Sequence, residues 1–143
     1  MLVLGTVTIL SAATAMALPH GTAVIQTPGS PTVAVRVEIA QQQAELQRGL
    51  SGRAALAPNA GMAFLFPGEV RTQFWMKDTS IPLSIAFWNR RGRILRILDM
   101  SPCLRDPCRV YDPGVRFHGA LEVNRGAFVR WRTHPGSTIR IRR

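Results

Sequence analysis

Clean alternation of apolar and polar positions begins in TVAVRVEIA, Thr32 to Ala40, with Val33, Val35, Val37 and Ile39 on one face and Arg36 and Glu38 on the other. A period of two is that of a half-buried strand. Gln41 to Leu50 replaces it with good helix formers, and Leu46 and Leu50, four apart with Gly49 near the end, predict a short helix. Met62 to Phe66, MAFLF, is wholly apolar and predicts a buried strand stopped by Pro67-Gly68. The densest stretch is FWMKDTSIPLSIAFW, Phe74 to Trp88. Phe74, Met76 and Asp78 alternate with Trp75, Lys77 and Thr79; Pro82 interrupts; Leu83, Ile85 and Phe87 then alternate with Ser84, Ala86 and Trp88. Because proline cannot donate to a sheet ladder, this predicts strand, kink, strand. Asn89 to Gly92, NRRG, reads as a hairpin turn into a strand over Arg93 to Met100. Phe117 to Val123 reads as another strand, Asn124 as the N-cap of a short helix in GAFVRW, and Ser137 to Arg142 as a last half-exposed strand. Many short strands with one or two short helices predict a mainly β domain, a compact antiparallel β-barrel or sandwich. Leu18 to Pro31, rich in Pro, Gly and Thr and without periodicity, is read as a flexible tether, so the single domain is expected over residues 32–143.

The length of 143 residues suits one domain with a sizeable core. The formal charge of +10 is uneven: the chain carries +9 after Trp88 and +1 before it. Such a field favours polyanions. Seventeen of the eighteen cations are Arg, a pattern that a genome-wide codon bias also produces, so charge alone does not name a partner.

Residues 1–17 carry no charge, are apolar in the middle and end in Ala15-Met16-Ala17, small residues where a signal peptidase reads. This is read as a cleaved export signal, residues 1–17, with a retained membrane anchor as the alternative; the polar Thr6, Thr8, Ser11 and Thr14 count against a spanning helix. In an oxidising compartment Cys103 and Cys108, in the proline-flanked loop SPCLRDPCRVYDP, are expected to form a disulfide. A zinc site wants four ligands, and His20, His118 and His134 are scattered; no metal or other cofactor is expected.

Four stretches in order, RGLSGR, GMAFLF, FWMKDTSIPLSIAFW and ALEVNRG, with the PC loop before the last, resemble the domain-of-unknown-function 192 family, also called the uncharacterised protein family UPF0127. The similarity runs from about Val33 to Arg142. It implies a compact, mostly β domain, frequently preceded by a signal or anchor, with no established activity. Two positions depart from the family's usual pattern: Asp78 stands where Asn is usual and Ser84 where Asp is usual.

Inside these otherwise apolar motifs the polar residues are Arg48, Arg53, Trp75, Lys77, Asp78, Glu122 and Asn124. Brought together, they would line a cleft for an anionic or sugar-like small molecule or a cell-envelope polymer, making the chain a non-catalytic binding module. The structural alternative pairs Arg53 and Lys77 with Glu122 and Asp78 as satisfied buried charges. A third reading makes Asp78 and Glu122 the acid and base of a glycan hydrolase. No Ser-His-Asp or Cys-His constellation stands out. Nucleic-acid binding rests on charge alone, because aromatic residues are sparse among the C-terminal arginines. Lys77 is the only lysine, and a compact ammonium among arginines is expected partly buried beside a carboxylate, Glu122 first and Asp78 second.

Overall fold

The computed structural model describes residues 17–143. The export-signal reading therefore lies, but for Ala17, outside the described residues. In chain order the elements are β1 (His20–Gln26), β2 (Val33–Ala40), α1 (Gln43–Arg48), β3 (Ala60–Val70), β4 (Phe74–Trp75), β5 (Leu83–Trp88), β6 (Ile94–Met100), β7 (Val110–Tyr111), β8 (Phe117–Asn124), α2 (Ala127–Arg130) and β9 (Thr138–Arg142). Seven strands make one curled sheet in the order β6-β5-β8-β3-β2-β1-β9, and β4 pairs with β7 in a separate two-stranded sheet. Only β2 and β3 run parallel, joined by the crossover through α1; the other pairs are antiparallel. The two ends of the sheet meet where Ile94 N donates to Ser137 O at 2.8 Å and Ile139 N donates to Gly92 O at 2.8 Å. The mainly β, barrel-like fold predicted from alternation is the fold observed.

Half of the segment read as a tether, His20–Gln26, is instead a strand. β1 lies between β2 and β9, with Ala23 and Ile25 buried, and Pro19 O accepts a hydrogen bond from Ile39 N at 2.7 Å. Pairing on both sides supplies β1 with its backbone bonds whatever its composition, and the position selects small residues. A Cβ on Gly21 would sit 2.5 Å from Arg142 O. Tertiary pairing here overrides a weak intrinsic strand preference.

Two apolar clusters flank the sheet. One draws on strands right round the curl, including Ile25, Val37, Trp88, Leu121 and Ile139, and is plugged by Phe128 of α2. The second takes the opposite face of β3, β5 and β8 and is covered by the end of α1, β4 and β7; Leu50, Phe64, Met76, Leu83, Phe87, Tyr111 and Phe117 belong to it. Central strands are therefore buried on both sides, which is why all six residues of β5 are buried rather than every second one. Phe74 meets Phe64 edge-on at 5.2 Å and Phe87 at 5.6 Å between ring centroids, pinning the cover to the sheet.

Local boundaries shift for identifiable reasons. The carboxylate of Glu45 accepts from both Gln41 N and Gln42 N at 2.9 Å, so α1 starts after these residues, and Gly49 at φ 50° ends it. The strand predicted for Phe74 to Thr79 stops after Trp75, because the chain turns at Met76 to Thr79 to pass from cover to sheet; Thr79 N donates to Met76 O at 3.0 Å. Asn124 is the last residue of β8 and not a helix cap: Gly126 holds the N-cap position of α2. Cys103 and Cys108 are joined, with Cα atoms 5.8 Å apart.

Candidate functional site

Glu122 sits in a strand whose neighbours in the ladder are Met62 on β3 and Ile85 on β5, both apolar. It is 5 % exposed. It lines a cavity of about 430 Å³ between the sheet and its cover, walled by the apolar Leu46, Leu50, Phe64, Phe66, Phe74 and Met76 and by polar residues that include Gln47, Ser51, Gln73 and Thr79. That volume is in the range of small-molecule sites. Burial alone pushes the carboxyl up to about pKa 8; no cation or hydrogen-bond donor among the described residues offsets it. Held neutral, the acid avoids being an unpaired buried charge, but it remains a buried polar group with no hydrogen-bond partner among the described residues, which is uncommon and marks a candidate site.

Two loops build the remaining wall and are stitched to each other. Ser51 Oγ donates to Lys77 O at 2.8 Å, Gly52 N donates to Asp78 O at 2.9 Å and Ser80 Oγ donates to Arg53 O at 3.2 Å. The cysteine loop then backs this wall: Asp78 N donates to Cys103 O at 2.9 Å and Cys103 N to Thr79 O at 3.2 Å. The motifs RGLSGR and FWMKDTS thus cooperate through their backbones as much as through their side chains.

Of the seven residues singled out from sequence, the cavity gathers Arg48, Trp75 and Glu122. The other four stand elsewhere. Arg53 pairs with Glu38 at 2.6 Å, tying the loop after α1 to β2 rather than meeting Glu122 or Asp78. Lys77 is half-buried beside a carboxylate, as its singularity implied, but the partner is Asp106 of the cysteine loop at 3.2 Å, with the ammonium 5.4 Å from the Trp75 ring centroid. Glu122 points into the cavity and Asp78 is turned to solvent, so neither is available to Lys77 as expected. Asn124 donates its side-chain amide to Leu56 O at 2.7 Å and Ala57 O at 3.3 Å, fastening a loop to the end of β8.

Asp78 is exposed, does not line the cavity and has φ 55°. Left-handed backbone is adopted most readily, after glycine, by Asn and Asp. The usual Asn at this position and the Asp here are therefore explained by backbone conformation, and the pair Asp78 and Glu122 does not flank one space as a hydrolase would need. Ser84, where the family usually has Asp, lies 2.6 Å from Asp99 and accepts from Gly126 N at 3.1 Å, so it anchors the entry to α2 away from the cavity. Sequence reasoning missed the walls, Phe64, Phe66 and Phe74 above all, because residues of an apolar motif read as core; the concentration of phenylalanine in MAFLF and FWM was the available signal.

Fold and site together define a curled β domain with an aromatic cavity closed by a single carboxyl. The chain matches the family described as DUF192, Uncharacterized ACR, over residues 23–141, and belongs to it. It is similar to a solved Sinorhizobium meliloti 1021 protein described as a "putative transcription regulator", with 26% identity and TM-score 0.82 over 88% of this chain and 96% of that one. It is also similar to a solved protein of unknown function from Novosphingobium aromaticivorans DSM 12444, with 26% identity and TM-score 0.77 over 94% of this chain and 91% of that one. No curated protein matches.

Proposed function

We propose that the domain is a non-catalytic binding module that takes a small organic molecule into the Glu122 cavity. The observation that carries this is an unpartnered carboxyl, 5 % exposed, at the floor of a cavity of about 430 Å³. A neutral acid there supplies one directed donor while the rings of Phe66, Phe74 and Trp75 supply contact area, the combination by which small-molecule sites orient a ligand. The sugar-like ligand expected from seven polar motif residues gives way to one with an apolar body, since four of those residues face elsewhere and only Arg48, Trp75 and Glu122 line the cavity. Screening small aromatic fragments by amide chemical shifts tests the reading. Hits should perturb Leu46 to Ser51, Phe64, Trp75 and Glu122 together, and hits that map elsewhere, or none at millimolar concentration, would defeat it.

Action outside the cytoplasm belongs to the same proposal, supported by the uncharged apolar run of residues 1–17 and the Cys103–Cys108 bond. Cleavage after Ala17 would leave Leu18 first and keep Pro19, which bonds to Ile39. N-terminal sequencing of the protein from its producing cell should begin at Leu18; a full-length membrane-bound chain would refute it. Transcription regulation, named for the S. meliloti protein, finds no support in the elements described: the helices have six and four residues and form no pair that could seat one in a major groove.

A further inference from the structure

We infer that the ligand is a small organic anion: a ring-bearing carboxylate whose uncharged end accepts a hydrogen bond from Glu122 and whose charge stays at the mouth beside Arg48. This rests on the small-molecule reading of the cavity and adds the ligand's charge and orientation.

Among the residues lining the cavity only Glu122 and Arg48 are ionisable. A carboxylate at Glu122 would be an uncompensated charge facing Met62, Ile85 and the phenylalanine walls, so the group rests as the neutral acid, in line with its raised pKa. A neutral acid donates one hydrogen bond and accepts others, which suits a hydroxyl, carbonyl or ether oxygen at the buried end. An ammonium ligand would first have to displace that proton, and would approach past Arg48 on a chain of net charge +10.

The outer end has the opposite character. Arg48 lies exposed on the last turn of α1, and the two ion pairs among the described residues, Arg53 with Glu38 and Lys77 with Asp106, leave it out. Arg53 and Lys77, the other cations of the loops that build this wall, are each already taken by a carboxylate. A planar guanidinium without an acidic partner favours a carboxylate, which it can hold through two parallel hydrogen bonds. Between the ends, the aromatic walls favour a flat apolar body.

Three probes sharing one ring separate the possibilities at pH 7: 3-(4-hydroxyphenyl)propionate, 4-ethylphenol and tyramine, measured by calorimetry with amide shifts to confirm the site. The anion should bind at least about tenfold more tightly than the neutral phenol, a difference of about 1.4 kcal/mol, with tyramine weakest. Arg48→Gln should bring the anion down to the level of 4-ethylphenol and leave 4-ethylphenol unchanged. With 3-phenylpropionate added as a fourth ligand that lacks the hydroxyl, Glu122→Leu should erase the wild type's preference for 3-(4-hydroxyphenyl)propionate over it. Equal affinity of all three probes, tyramine as the tightest, or indifference of the anion to Arg48→Gln would overturn the charge assignment while leaving the cavity reading intact. If no probe shifts the cavity residues at millimolar concentration, both readings fall.

Discussion

Replacing Glu122 by Gln keeps the side chain's shape and removes its titration, so the difference between the two proteins isolates what this carboxyl does to folding. In the folded chain the acid holds its proton up to about pH 8, against 4.5 for a freely solvated glutamate. Between those values the unfolded chain has lost a proton that the folded chain keeps, so the unfolded state binds fewer protons and stability falls as pH rises. The slope is about 1.4 kcal/mol per pH unit, giving a loss of roughly 3 kcal/mol at pH 7 and on the order of 5 kcal/mol once pH passes 8. Below pH 4.5 both states are protonated and this contribution vanishes. Urea denaturation of both proteins from pH 4.5 to 9 reads it out: the Gln variant's midpoint should gain on the wild type's steadily to pH 8, by roughly 2 M in all for a domain of this size. Glu45 and Asp112, whose carboxyls are lowered by backbone hydrogen bonds, act in acid and are common to both proteins, so they cancel in the difference. Parallel midpoint curves across that range would refute the reasoning and place the carboxyl in contact with water or a partner.

Lys77→Met should cost no more than about 1 kcal/mol by chemical denaturation, because the Lys77 and Asp106 side chains are 40% and 66% exposed; a loss of several kcal/mol would mean a desolvated pair. Asn124→Ala removes the amide that holds Leu56 O and Ala57 O, and a loss of about 1–2 kcal/mol is expected, with faster amide exchange confined to the loop of residues 51–59; unchanged exchange there would show that the loop is held by other contacts. Changing both Cys103 and Cys108 to Ser should lower stability by about 2 kcal/mol, the loop-entropy figure for so short a ring, and should shift the amides of Met76 to Thr79, which this loop backs; a variant with those amides unmoved would show that the cavity wall stands without its strap.

The sequence by itself determined the strands that alternate or run wholly apolar, β2, β3, β5, β6, β8 and β9, and hence the mainly β class, because a period of two can bury one face only as a sheet. It also determined the two short helices and the pairing of Cys103 with Cys108, where Pro102 and Pro107 favour the turn that brings two nearby cysteines within bridging distance. Family membership was legible in the order of four motifs. Tertiary structure decided the rest. Whether His20 to Gln26 is tether or strand depends on two partners far along the chain, β2 and β9, and no local pattern reports them. Which carboxylate meets which cation depended on the turn at Asp78, whose left-handed backbone swings that acid out to solvent and leaves Lys77 facing the cysteine loop. The cavity could not be read at all, since its walls are ordinary core residues; only the gap between the sheet and its cover turns Phe64, Phe66 and Phe74 from packing into lining, and Glu122 from a satisfied partner into a lone acid.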